Sequence, residues 1–157
     1  MATTYVSTKC GNGVQPRLHL HDDTLYCEFD IAAAVATAAN GGGGAGGTAF
    51  VINDVVQMVK VANGTVIASC LLSVDALDTS TGIVVAVGDG SDDDRFITAS
   101  TIGRSSASGT AVLNNHAGHI YQYTADDTID FKVTTAASGT ASTTGKIRLS
   151  VRVTPQQ

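Results

Sequence analysis

A chain of 157 residues with 43% hydrophobic content is long enough for one domain with a full core, and its recurring apolar runs exclude a disordered polymer. Its net charge of −5, nine bases against 14 acids, disfavours nucleic-acid binding, which needs a clustered basic face. There is no run of about 18 apolar residues, so no membrane span is expected; residues 1–24 lack an apolar stretch, which predicts synthesis in a reducing cytoplasm without secretory export.

Residues 1–24 mix Thr, Asn, Gly and Pro16 with scattered apolar side chains at no regular period. They read as an extended N-terminal arm ahead of a domain spanning 25–157, ordered against a partner through Tyr5, Val6, Val14, Leu18 and Leu20. Residues 26–36 alternate, with Phe29, Ile31, Ala33 and Val35 on one face, and read as a strand; the alanines make a helix the competing reading. Six of the 17 glycines lie in 41–47. That run is a loop, because it has neither the Lys-Ser/Thr ending of a P-loop nor a surrounding β-α-β pattern.

Residues 50–61 form one strand or two, with a possible break at Asn53-Asp54, and Asn63-Gly64 is a hairpin signal. Along 65–75, Val66, Ala68, Cys70, Leu72 and Val74 point one way. Thr65, Ser69, Ser73 and Asp75 point the other, with Ile67 and Leu71 as apolar exceptions that suggest a covered second face and hence an oligomer interface. Residues 76–82 make a turn, 83–87 a buried strand, and 97–118 a long connection with room for a short helix or edge strand. Strands follow at 119–124, at 128–135 with Ile129, Phe131 and Val133 inward, and at 146–154 with Ile147, Leu149, Val151 and Val153 inward. About eight strands with long connections and no long helix predict an all-β, two-sheet β-sandwich, most simply a jelly roll.

Three cysteines, Cys10, Cys27 and Cys70, are odd in number and irregular in spacing, so they are not a disulfide framework. With His19 and His21 the first two could ligate zinc, but the spacing fits no common zinc module. The acidic loop Asp89, Asp92, Asp93 and Asp94 is a calcium candidate; the competing reading is a solvated turn with Arg95 as counter-charge. The basic residues Lys146, Arg148 and Arg152 read as a solvated strand face. No nucleophile elbow occurs, and the adjacent carboxylate pairs are turn residues, so no enzyme and no cofactor is expected.

The run DVVQMVKVANGTVIASCLLSVDALDTSTGIVVAVGDGSDDDRFITAST, residues 54–101, together with YQYTADDTIDFKVT, residues 121–134, resembles the capsid decoration (cement, or head auxiliary) proteins of tailed phages. The shared order is a strand ending in Lys-Val, a hairpin, an apolar strand, a Leu-Asp turn, a strand ending Val-Gly-Asp, then Asp-Arg-Phe. The Gly-rich run has no place in that order. The resemblance implies a β-sandwich or jelly-roll subunit, a homotrimer set on the outside of an icosahedral head, with the major capsid protein as partner and no catalytic residues. A rival reading is a carbohydrate-binding module displayed on a virion or cell surface, using the loop aspartates and Tyr121 or Tyr123.

Overall fold

The computed structural model describes residues 2, 4–7, 10–11, 23–32 and 49–154. Two sheets pack face to face. In chain order the strands are β1 Thr4–Val6, β2 Asp23–Asp30, β3 Val55–Val61, β4 Val66–Val74, β5 Val84–Gly88, β6 Ile97–Ser100, β7 Gly109–Val112, β8 Tyr121–Gln122, β9 Asp127–Thr135 and β10 Lys146–Thr154. One sheet, here sheet A, runs β1-β3-β9-β5-β6; the other, sheet B, runs β2-β10-β4-β7, with β8 pairing β4. The predicted two-sheet β-sandwich is therefore observed.

The alternation at 128–135 and 146–154 has a direct cause in this arrangement. β9 and β10 lie inside their sheets, so each has one face on the core and one on the outside. Ile129, Phe131, Val133, Ile147, Leu149, Val151 and Val153 are all fully buried. The few aromatic side chains concentrate in the same core: the ring of Tyr5 meets Phe29 at 5.9 Å and Phe50 at 5.4 Å between centroids, and Phe50 meets Phe131 at 6.0 Å.

Several expectations are corrected. The strand read at 26–36 starts earlier and ends at Asp30, and Ile31 and Ala32 are helical, as alanine propensity favours; residues 33–48, with the Gly-rich run, lie outside the described residues. Asn63-Gly64 does turn the chain, closed by the Thr65 N–H donating to the Ala62 carbonyl at 3.1 Å, but no hairpin follows. The Gly64 N–H donates to the Tyr123 carbonyl (2.8 Å) and the Tyr123 N–H to the Thr65 carbonyl (2.9 Å), so the chain beside β8 takes the bonds a hairpin partner would have used. β3 and β4 consequently enter opposite sheets. The 97–118 connection supplies both β6, the edge of sheet A, and β7, the edge of sheet B, and then a 3-10 turn at His116–Gly118. The strand read at 119–124 shrinks to Tyr121–Gln122.

The Asn53-Asp54 break is present. Asn53 takes φ +69°, a value an Asn tolerates, and the buried Asp54 carboxylate accepts the Val51 N–H at 2.8 Å.

Candidate functional site

Four places carry the charged and apolar features from which a function can be argued. The first is the loop between β5 and β6. Asp89 is 2% exposed and accepts from Arg95 Nε at 2.5 Å, from the Ser91 hydroxyl at 2.8 Å and from the N–H groups of Ser91 and Asp92 at 3.0 and 2.9 Å. Burial works to raise the Asp89 pKa, but the Arg95 and Ser91 donors outweigh it and hold the carboxyl below the usual range. The Arg95 guanidinium lies over the Tyr121 ring at 4.0 Å from its centroid, which fixes the counter-charge in place. Asp93 pairs with Lys132 of β9, and Asp92 lies 3.7 Å from Arg95. Asp94 is exposed, and the net effect of burial, Asp92 and Asp93 raises its pKa. Three of the four calcium candidates thus face a protein cation, Asp89 and Asp92 through Arg95 and Asp93 through Lys132, and among the described residues no group of three or more His, Cys, Asp or Glu is placed to hold a metal.

The second place is the outer face of sheet B. Leu71 is 43% exposed, and Ile67 is fully buried in the chain's own core. The expectation that both face outward is corrected, and a register shift explains it. Arg152 of β10 pairs with Ser69, but the next residue, Val153, pairs with Ile67, so Ala68 is the extra residue of a bulge. One added residue inverts the alternation, turning Ile67 inward with Cys70, Leu72 and Val74. Leu71 does not stand alone. It pairs with Val112 of β7 and with Ser150 of β10, which in turn pairs with Tyr26 of β2. Tyr26, Leu71 and Val112 are exposed by 52%, 43% and 62%, so one cross-strand row holds three of the exposed large apolar side chains. Sequence reading missed Tyr26 and Val112, because an exposed apolar residue becomes informative only when its cross-strand neighbours are known.

Beside that row lies an ion-pair chain. Glu28 accepts from Lys146 and from Arg148 Nε at 3.0 Å, and Arg148 NH1 reaches Asp75 at 3.0 Å. The donors Lys146 and Arg148 lower the Glu28 pKa against a smaller opposing effect of burial. Lys146 and Arg148 of the basic strand face are therefore compensated by Glu28 and Asp75.

The third place is the opposite end, where Asp78 organises three loops. It is 1% exposed, and its carboxylate accepts the N–H groups of Ser80, Gly82 and Ile83 from its own turn at 2.9, 3.0 and 3.1 Å. It also accepts those of Ser138 and Gly139 at 3.1 Å each. Burial works to raise its pKa, yet these N–H donors together outweigh burial and hold the carboxyl down at about 2. Arg104 ties the third loop by donating from Nε to the Ile83 carbonyl at 2.6 Å. Sequence reading took 76–82 as a simple turn. The Asx-turn spacing of Asp78 to Ser80 was available there, whereas the donors at 138–139 were not.

The fourth place is the N-terminal segment. Tyr5 is 5% exposed, on a strand that pairs in parallel with β3, so its ring belongs to the chain's own core and is withdrawn as a partner contact. Val6 is half-buried; Val14, Leu18 and Leu20 lie outside the described residues, as do His19 and His21. Cys10, Cys27 and Cys70 are buried thiols, not joined in disulfides. Tyr123, offered as a sugar platform, is 2% exposed and cannot stack on a ligand, and Tyr121 is half-buried between Tyr123 and Phe96. Ile120 is 58% exposed at φ +55°, a conformation costly for a β-branched residue.

No protein-family model matches the chain, and no curated protein matches its sequence. Solved structures do. A chain of the capsid of Ralstonia phage GP4 superposes with a TM-score of 0.71 at 18% identity, over 98% of this chain and 99% of that one. A chain of the cyanophage Pam1 capsid asymmetric unit gives 0.66 at 20% identity, over 90% and 91%. A chain of the acidic stable capsid of Helicobacter pylori bacteriophage KHP30 gives 0.54 at 16% identity, over 89% and 92%. At these identities the likeness establishes a shared fold across nearly the whole length of each chain.

Proposed function

We propose that this chain is a structural virion protein that decorates and stabilises the outside of an icosahedral phage head by binding its major capsid protein. The observation that carries the reading is the end-to-end likeness to a chain of the GP4 capsid, 98% of one against 99% of the other.

Three features support the reading. The strands β2-β10-β4-β7 face β3-β9-β5-β6, and β2 through β5 alternate between the sheets, an order that supports reading the sandwich as a jelly roll. Asp78 binds the backbone of its own turn and of the 138–139 loop, which suits a rigid block better than an open pocket. The row Tyr26, Leu71 and Val112 offers an apolar stripe, which we assign to the seam of a homotrimer; the number three comes from the decoration-protein resemblance. Val6, Val14, Leu18 and Leu20 remain the assigned arm contacts to the shell or an adjacent subunit. Repetition of modest contacts over a closed shell, strengthened when three subunits dock together, supplies the affinity.

The test is binding of the purified chain to heads that lack it. Saturable binding that raises the temperature at which the heads open supports the role. A chain that never sediments with heads at micromolar concentration refutes it.

A further inference from the structure

Asp130 stands on the outward side of β9, an interior strand of sheet A, paired with Gln57 of β3 on one side and Gly88 of β5 on the other. Immediately after Gly88 the chain turns back over the sheet. The turn is closed by the Asp89 N–H donating to the Asp92 carbonyl at 2.9 Å. It lies so close that a Cβ added to Gly88 would run into the Asp92 carbonyl oxygen and the Asp93 backbone. Asp130 is left half-buried, and its Oδ1 has no hydrogen-bond partner.

The groups around this carboxyl are mostly of its own sign. Asp89 and Asp93 come from the folded-back loop and Asp127 from the start of β9. Arg95 engages Asp89, and Lys132 engages Asp93. On β9 Thr128 is a hydrogen-bonding neighbour; from β3 Lys60, and from the segment after β1 Cys10, share the neighbourhood. Two of the four carboxylates thus have a protein cation in contact, and Asp130 has the least support for a negative charge.

We infer that residues 89–94 form a pH-responsive flap, held against sheet A when Asp130 is protonated and loosened when it ionises. Protonation removes one negative charge from beneath a loop that contributes two, and it gives the buried carboxyl an O–H to donate. Burial, followed by Asp127, Asp89 and Asp93, outweighs Thr128 and pushes the Asp130 pKa from 3.8 up to about 6. A raised carboxyl pKa means that the closed form binds the proton more tightly than the open form does. The closed form therefore gains as pH falls through about 6, and the gain is complete below the ordinary value of 3.8. With those two values the opening equilibrium shifts about tenfold between roughly pH 7.5 and roughly pH 5.

The experiment is amide hydrogen exchange on the full chain at the two pH values, corrected for intrinsic chemical exchange, with carboxyl NMR titration of Asp130. The expected result is about a tenfold rise in protection confined to residues 89–94 at the lower pH, with Asp130 titrating near the same midpoint. D130N, which cannot ionise, should show the high protection at both values. Should D130N fail to fold, the wild-type titration decides: a midpoint near 4 overturns the inference. Loop protection that does not change, or that rises equally in β10, overturns it too.

Discussion

The bulge at Ala68 yields the sharpest stability prediction, because Ile67 and Leu71 lie four residues apart on one strand and uninterrupted alternation would give them the same face. Ile67 is fully buried; Leu71 is 43% exposed. Truncating Ile67 to Ala removes buried carbons and leaves a cavity in a packed core, a change that costs about 2–5 kcal/mol. For a domain of this size that lowers Tm by roughly 5–20 °C, at about 2–4 °C per kcal/mol. Truncating Leu71 to Ala removes carbons that already touch water and opens no enclosed void, so the cost is about 1 kcal/mol or less, from about 0.8 kcal/mol per fully buried methylene. Urea denaturation of the monomeric chain with each substitution measures both values. Equal costs, or an Ile67→Ala cost below about 0.5 kcal/mol, would place the bulge elsewhere and refute the assignment of faces. On the proposed trimer seam, Leu71→Ala should show its larger effect in subunit association, as weaker self-association by sedimentation.

Other outcomes follow from the same structure. Asp78→Asn should lower Tm at neutral pH: the folded-state pKa is held down at about 2, so the carboxylate's contribution is present above 3.8 and lost as pH falls toward 2, and the two melting curves should converge there. A difference that persists unchanged to pH 2 would mean that the ionised form is not what holds the loops. Cys10 and Cys70, whose thiols burial pushes up to about 12, should stay unreactive toward a thiol reagent at pH 8 until the chain unfolds; a prompt full equivalent from either would contradict their placement. Gly88→Ala should lower Tm and speed amide exchange in 89–94, since the new methyl group meets the Asp92 and Asp93 backbone; an unchanged melting curve would show that the loop does not lie over β5. A chain starting at Thr24 should lose attachment to heads if the arm is the anchor, and lose some stability as well, because Tyr5 leaves the aromatic cluster; occupancy equal to full length would move the anchor to the domain.

The parts of the fold legible in the sequence are those with an unbroken period. Ile129, Phe131 and Val133, and the four apolar residues of β10, alternate because interior strands of a sandwich see core on one side only. Three kinds of feature were not legible. A bulge adds one residue without changing composition, so Ile67 looked like an apolar intruder on a polar face. A turn signal specifies a local reversal but not which strand pairs afterwards, so Asn63-Gly64 looked like a hairpin until β8 was seen to occupy the partner's place. Edge strands such as β6 and β7 bury too little to show a pattern, and β1 is three residues long with a single buried ring to mark it. Of the candidate sites, Arg95 as counter-charge to the acidic loop was one of two readings open in the sequence. The row joining Tyr26 to Leu71 and Val112 needed the register of four strands, and Asp78 needed donors about sixty positions away.

The central claim, a decoration role on a phage head, is tested most directly by stoichiometry. If the proposal holds, the chain belongs to a phage whose particles, purified to homogeneity, should contain it in a fixed whole-number ratio to the major capsid protein. The ratio should be unchanged by salt washes that strip loosely bound protein, and the chain should be removable without dissolving the shell. Its absence from purified particles, or a ratio that falls continuously with washing, would contradict the account.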